Sequence, residues 1–193
     1  MLDQKLNKIR NYYNNGKLSK AELLCKRLIN EYPTENIVKL VYLDLLFKNK
    51  KYTQIINFTS DLLKRDKQNI DYIKFLSLSC LELGLVKRAE KNVKDLISFD
   101  PNPANYDLLG IVASKNKNIS LANQSFAKAI ELNPDNHKFF MNFANFFREI
   151  DQNEKALDLL LGFNKRKSNI DILILITAIY RDIRNHKKAE FFC

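Results

Sequence analysis

The sequence is short of the residues that make tight turns and interrupt helices. Its 193 residues include only 4 glycines and 4 prolines, too few for the many turns of a β-sandwich. Tryptophan is missing, and there are only 2 histidines and 3 cysteines. Hydrophobic residues make up 46% of the chain and charged residues 28%, which excludes a disordered chain and leaves enough apolar surface for a core. We therefore expect an all-α fold.

The three cysteines exclude two kinds of small stabilised domain. Cys25, Cys80 and Cys193 are odd in number, widely spaced and without a CxxC pair, so they predict neither a disulfide framework nor a zinc site. The first ten residues have no apolar core of a signal peptide. The longest apolar run, residues 172–180, is about half a membrane span. We expect a chain without a membrane span that works in the cytoplasm.

The excess of positive charge is broad and is weak evidence for a nucleic-acid partner. The formal net charge is +10, from 32 Lys and Arg against 22 Asp and Glu. Only the first 50 residues lean clearly basic, with 10 basic and 5 acidic residues, and only 8 of the 32 basic residues in the chain are arginine. Nucleic-acid sites usually gather basic side chains, arginine above all, on one face. We therefore do not expect a nucleic-acid partner.

A repeat of 33 or 34 residues runs through the chain. Alanine recurs at intervals of 68, 33, 34 and 33 residues, and the first interval is two periods with Ile55 at its middle. Proline stands twelve residues after three of these alanines, at Pro33, Pro101 and Pro134. The alanines are Ala21, Ala89, Ala122, Ala156 and Ala189.

Each repeat has the pattern of a helical hairpin. In the clearest copy, apolar residues at 3 and 4 spacings lie on both sides of the polar segment 115–120, which predicts two antiparallel helices. The small residues Gly110 and Ala122 should allow the helices to approach closely, with Phe126 filling the space beside them. Gly16 and Gly84, five residues before their alanines, should supply the positive φ at which the first helix ends.

With these columns, the chain resembles the tetratricopeptide repeat family, whose unit is a helix-turn-helix of 34 residues. The resemblance implies a single domain, residues 1–193, folded as a right-handed superhelical solenoid of about five and a half repeats. It also implies a non-catalytic protein-protein interaction scaffold that binds a protein or peptide in a concave groove. The repeats would span residues 2–35, 36–69, 70–102, 103–136, 137–169 and 170–193, the last incomplete.

The first helix of each repeat should line that groove with one stripe of residues at spacings of 3, 4 and 3. In the first three repeats the stripes are Asp3, Leu6, Arg10 and Tyr13, then Ile37, Leu40, Asp44 and Phe47, then Asp71, Lys74, Leu78 and Leu81. Several groups further along the chain are donors suited to a carboxylate or to peptide carbonyls. The predicted partner-binding residues are Lys74, Leu78, Asp107, Ile111, Lys138, Met141, Asn142, Asn145, Arg148 and Arg181.

Enzymatic motifs are missing. The sequence has no GxxxxGK[ST], GxGxxG, GxSxG or HExxH motif, and neither His137 nor His186 has a second His or Cys at ligand spacing. We expect no catalytic residue, metal, cofactor or small-molecule substrate.

The last repeat leaves two interpretations open. It ends at residue 193, about ten residues short of a full second helix and without the polar capping helix that solenoids use for solubility. On one interpretation the chain is an adaptor whose uncapped last repeat invites self-association or a partner. On the other it is the substrate-recognition arm of a larger enzyme, such as a glycosyltransferase or sulfotransferase.

Overall fold

Every helical hairpin turns at a single residue with a left-handed backbone. The computed structural model describes residues 1–192. Gly16 and Gly84 have φ of 69° and 72°, so their predicted positive φ is confirmed. Four non-glycine residues adopt the same conformation at the same place in the other hairpins: Lys50, Lys117, Asp151 and Arg184, with φ of 56° to 58°. Lys50 shows that the backbone keeps the period through the second repeat, whose side-chain pattern is the weakest.

Within residues 1–192 the chain forms twelve α-helices and no strands. The first helices of the hairpins have 13 residues each: α1 (Leu2–Asn14), α3 (Asn36–Lys48), α5 (Ile70–Glu82), α7 (Pro103–Lys115), α9 (His137–Glu149) and α11 (Ile170–Asp182). The second helices are α2 (Leu18–Glu31), α4 (Tyr52–Arg65), α6 (Val86–Phe99), α8 (Ile119–Leu132), α10 (Asn153–Arg166) and α12 (His186–Phe191). The predicted all-α fold of consecutive helical hairpins is confirmed.

The chain divides into two compact units, residues 1–92 and residues 93 onward. We refer to them as the N-terminal and C-terminal units. Consecutive first helices contact one another inside each unit, α3 with α5 in the former, and α7 with α9 and α9 with α11 in the latter.

The C-terminal unit packs around one phenylalanine that occupies the space left by a glycine. A Cβ atom added at Gly110 would lie 2.6 Å from Cδ1 of Phe126, so only glycine allows the ring to lie against α7. Phe126 is 1% exposed, and its ring centroid is 5.4 Å from that of Phe143 and 5.7 Å from that of Phe146. The close approach predicted at Gly110 and Phe126 is confirmed.

We expect Ala122→Leu to destabilise this unit by about 1–3 kcal/mol, because Ala122 is fully buried and three added carbon atoms would overpack the contact between α7 and α8. Ala127→Leu, at an exposed position of the same helix, is the matched control and should change stability by less than about 0.5 kcal/mol. Urea unfolding followed by circular dichroism measures both. Equal stability of the two variants would contradict the helix register.

The N-terminal unit buries mainly aliphatic side chains. Two positions of the repeat's alanine column lie in this core: Ala21, and Ile55, which replaces alanine in the second repeat. Both side chains are 0% exposed. Tyr72 is 2% exposed and its hydroxyl donates to Asn36 Oδ1 at 2.8 Å, which ties the beginning of α5 to the beginning of α3. The repeats of this unit are thus joined by packing and by a specific hydrogen bond.

Asparagine is the N-cap residue of six of the twelve helices in residues 1–192. Its side-chain oxygen accepts from a backbone N–H in the first turn and so satisfies a donor that the helix leaves without a partner. Both of the last two described helices use this cap, from Asn169 and Asn185. The capping residues are Asn69, Asn102, Asn118, Asn136, Asn169 and Asn185.

Candidate functional site

A groove of about 510 Å³ lies on the first helices of the N-terminal unit. We call it the N-terminal groove. It forms because α1, α3 and α5 each present a stripe of residues spaced by 3 and 4, and the side chains of the three stripes meet. Its lining residues are Ile9, Arg10, Tyr13 and Asn14 of α1, Leu40, Val41, Asp44, Leu45 and Lys48 of α3, and Asp71 and Phe75 of α5.

The floor of the N-terminal groove is apolar and partly open to solvent. Leu40, Val41 and Phe75 are half-buried, so each keeps some apolar surface uncovered. Beside them, Lys48 Nζ lies 2.8 Å from Asp44 Oδ2 and 5.1 Å from the centre of the Tyr13 ring. The hydrogen bond to Asp44 raises the pKa of Lys48, which keeps the ammonium group charged. The charges of Lys48 and Asp44 in this wall of the groove are therefore already paired with each other.

Two charged side chains of the groove have no such pairing. Arg10 and Asp71 are both exposed, and neither forms a hydrogen bond or an ion pair with another residue in the described part of the chain. They stand on different helices, α1 and α5, and α3 contributes the floor between them. The groove thus offers an unpaired cation, an apolar surface and an unpaired anion.

In the C-terminal unit, by contrast, the polar groups of neighbouring first helices are bonded to one another. Glu149 on α9 accepts from Ser114 Oγ and Lys115 Nζ of α7, both at 2.8 Å, and the bond from Lys115 lowers the pKa of Glu149. Arg148 on α9 lies 2.5 Å from Asp182 of α11 through Nη2. Its Nη1 donates to Asn145 Oδ1 at 3.2 Å.

Asp107 is the most unusual carboxyl group in this unit. It is 8% exposed, and its Oδ2 accepts from Asn142 Nδ2 at 2.7 Å, while its Oδ1 is buried without a hydrogen-bond partner. Burial raises the pKa of Asp107 to about 6, and the hydrogen bond from Asn142 opposes that rise. The side chain therefore changes its charge close to neutral pH.

The predicted partner-binding residues are divided between the two units. In the C-terminal unit, Ile111, Asn142 and Asn145 line a cavity of about 180 Å³ together with Glu149. Arg181 lines a different cleft, with His186 and Glu190. The remaining predicted residues have these positions: Lys74 and Leu78 are half-buried on α5 of the N-terminal unit, while Lys138 is exposed and Met141 half-buried on α9.

None of the residues that line the N-terminal groove is among the predicted partner-binding residues. Their spacing puts Arg10, Tyr13, Leu40 and Asp44 on the first-helix stripes. The two predicted binding residues of this unit, Lys74 and Leu78, stand on α5 and are not among the lining residues of the groove. The groove could be recognised in the sequence because aromatic, aliphatic and charged residues recur together on the first-helix stripes. Equivalent positions of consecutive stripes are 34 residues apart.

The two described cysteines are buried. Burial raises the pKa of Cys25 to about 12 and also raises that of Cys80, which suits packing rather than nucleophilic chemistry. Cys193 lies outside the described residues. No group of three or more His, Cys, Asp or Glu side chains within residues 1–192 is arranged to hold a metal ion. Across the same residues, the helices are too short or too polar to cross a bilayer.

Comparisons by sequence find no match to a family model or to a curated protein. Comparisons by structure find similar folds. A tetratricopeptide repeat protein from Parabacteroides merdae superposes with a TM-score of 0.76 and 14% identity over 98% of this chain and 76% of that one. A thermophilic tetratricopeptide repeat protein of Thermus thermophilus gives a TM-score of 0.73 with 15% identity, over 93% of this chain and 98% of that one.

A third similar structure is YrrB, described as a tetratricopeptide repeat protein with an unusual peptide-binding site. It gives a TM-score of 0.61 with 17% identity, over 87% of this chain and 88% of that one. At identities of 14% to 17%, the structural similarity of these three proteins establishes the fold alone. The chain has the tetratricopeptide repeat fold that its alanine, glycine and proline columns predict.

Proposed function

We propose that this chain is a non-catalytic interaction module of the cytoplasm that binds a protein partner through the first helices of its repeats. The observation that carries the proposal is the N-terminal groove, where an apolar floor and unpaired charges lie together on three first helices. An extended segment of a partner fits such a surface, since its apolar side chains can cover the floor while its polar groups meet the rim. Rigid helical hairpins also spare the ordering cost that a flexible receptor would incur.

Similar structures and the cysteines support this proposal. YrrB, of the same fold, is described as having a peptide-binding site. Cys25 and Cys80 are free and buried, as expected of a protein kept in a reducing compartment.

Site-specific photo-crosslinking in the cells that make the protein tests the proposal. A benzophenone amino acid replaces Ile37 on α3, which is 47% exposed, or Ile174 on α11, which is 62% exposed. The matched controls carry it on second helices, at Leu23 of α2 and Ile119 of α8, which are 52% and 50% exposed. We expect crosslinks to a discrete protein from Ile37 or Ile174 and none from the controls.

Two outcomes would contradict the proposal. Crosslinks that form equally from first and second helices would remove the first-helix surface as the binding site. Absence of any protein crosslink from all four positions would remove the interaction function itself.

A further inference from the structure

The two units differ in how the charged side chains of their first helices are paired. In the C-terminal unit, Asn142 is bonded to Asp107, Glu149 to Lys115, and Arg148 to Asp182. These pairs join consecutive repeats, and their donors and acceptors are partly or wholly used within the chain. Hydrogen-bonding groups that are already satisfied contribute little to the recognition of a partner, because binding must first break the existing bonds.

The N-terminal groove has the opposite character. The Lys48–Asp44 ion pair lies within α3, and Lys48 also lies over the Tyr13 ring of α1, so this pair leaves the charges of Arg10 and Asp71 uncompensated. Arg10 and Asp71 project from the helices on either side of α3 and remain without hydrogen-bond or ion-pair partners in the described part of the chain. Opposite charges on the two sides of one apolar floor select for a ligand that carries both charges.

We infer that the N-terminal groove binds an extended peptide segment in which an acidic and a basic side chain flank a large apolar one. This inference rests on the proposed function and specifies its ligand. The carboxylate of the segment meets the guanidinium group of Arg10, a pairing that can use two parallel hydrogen bonds. The ammonium or guanidinium group meets Asp71, and the apolar side chain covers Leu40, Val41 and Phe75.

Dimensions of helices and strands limit the spacing of the two charges in the ligand. Packed helices lie about 8–10 Å apart, and α3 stands between the helices that carry Arg10 and Asp71. An extended peptide rises about 3.3 Å per residue, and the long arginine side chain shortens the gap that the peptide must span. The acidic and basic residues of the ligand should therefore stand about three to five positions apart.

The experiment uses the full chain and a panel of short synthetic peptides, acetylated and amidated, each with a central phenylalanine. Four charge patterns flank it: one acid and one base, two acids, two bases, or two uncharged amides. Fluorescence anisotropy at low salt measures the Kd of each. We expect the unmodified chain to bind the mixed-charge peptide about 3- to 10-fold more tightly than either like-charge peptide.

Charge reversals in the groove should change this preference in a direction that does not depend on the orientation of the peptide. Arg10→Glu gives the groove two acidic sides and should shift the preference to the peptide with two bases. Asp71→Lys gives it two basic sides and should shift the preference to the peptide with two acids. Both positions are exposed, so circular dichroism and thermal unfolding should show the fold of the unmodified chain.

Matched controls separate local recognition from net charge. Arg27→Glu makes the same change of charge on an exposed position of α2. Glu35→Lys reverses an exposed charge at the beginning of α3, as Asp71→Lys does at the beginning of α5. Both control variants should keep the preference for the mixed-charge peptide.

Three results would overturn the inference: no measurable binding of any peptide, equal binding of all four patterns, or preferences that change equally in groove and control variants. If first-helix crosslinks to a partner are found alongside any of these results, the interaction function stands and only the ligand assignment fails. If no crosslinks form but the peptide preferences change as expected, the groove selects mixed-charge peptides in vitro and the proposed interaction function in the cell fails.

Discussion

Replacing Phe126 by alanine should lower the free energy of unfolding of the C-terminal unit by about 3–5 kcal/mol. The ring is 1% exposed and lies against the rings of Phe143 and Phe146, so its removal leaves a cavity inside the aromatic core. Gly110 on the other side of the ring has no side chain to fill that cavity. Urea unfolding measures the loss, and Leu132→Ala, a change at a 43% exposed residue of the same helix, should cost less than about 1 kcal/mol.

A second substitution makes this prediction more specific. Gly110→Ala in the unmodified chain should destabilise it by about 1–3 kcal/mol, because the added Cβ would lie 2.6 Å from the Phe126 ring. In the Phe126→Ala background that obstacle is gone, and the same change should stabilise the chain by up to about 1 kcal/mol, the advantage of alanine over glycine inside a helix. The same sign in both backgrounds would contradict the packing of the ring against Gly110.

The second large effect concerns the buried carboxyl group of Asp107. Since burial raises its pKa from 3.8 to about 6, the folded chain binds this proton more tightly than the unfolded chain does. Stability contributed by protonation is then present at low pH and is lost as the pH rises through that interval. At about 1.4 kcal/mol per pKa unit, the loss from this group between pH 4 and pH 7 amounts to about 2–3 kcal/mol.

Asp107→Asn should remove this loss. Its side-chain oxygen can still accept from Asn142 Nδ2, but the side chain carries no charge at any pH. We therefore expect the variant to match the unmodified chain near pH 4 and to be about 2–3 kcal/mol more stable at pH 7. Urea unfolding from pH 4 to pH 8 measures this difference, with Asp158→Asn, at an exposed position of α10, as the control. An unchanged pH dependence in Asp107→Asn would contradict the buried, weakly solvated state of the carboxyl group.

The helical hairpins could be predicted from sequence because they depend on local patterns. The small residues Gly110 and Ala122 must lie where two helices approach closely, and the structure confirms that Gly110 lies directly against Phe126. Positive φ at Gly16 and Gly84 followed from the same reasoning. The left-handed conformation of Lys50 and Lys117 could not be predicted from residue type, because nothing in a lysine side chain favours it; position in the repeat was the only signal.

Asparagine capping also escaped sequence reasoning. The sequence is rich in asparagine, and composition alone does not separate a helix-capping residue from one on the surface. Asn169 and Asn185 are recognisable as caps because each stands just before a helix whose first N–H groups need acceptors.

Polar pairs between repeats involve several of the predicted partner-binding residues. Asp107 and Asn142 are 35 residues apart, and Arg148 and Asp182 are 34 apart, so each pair spans one repeat. Complementary groups separated by one period were visible in the sequence. Taken one at a time, Asn142 and Arg148 look like donors that are free to bind a partner. In the structure each is hydrogen-bonded to a carboxylate on a neighbouring first helix.

A titration of the isotope-labelled chain with the mixed-charge peptide, followed by NMR, tests the central claim most directly. The account predicts that amide and methyl resonances change for the lining residues of α1, α3 and α5, notably around Arg10, Leu40 and Phe75, while those of the Asp107–Asn142 pair and of the second helices remain in place. Changes centred on the second helices, or on the first helices of the C-terminal unit alone, would contradict it.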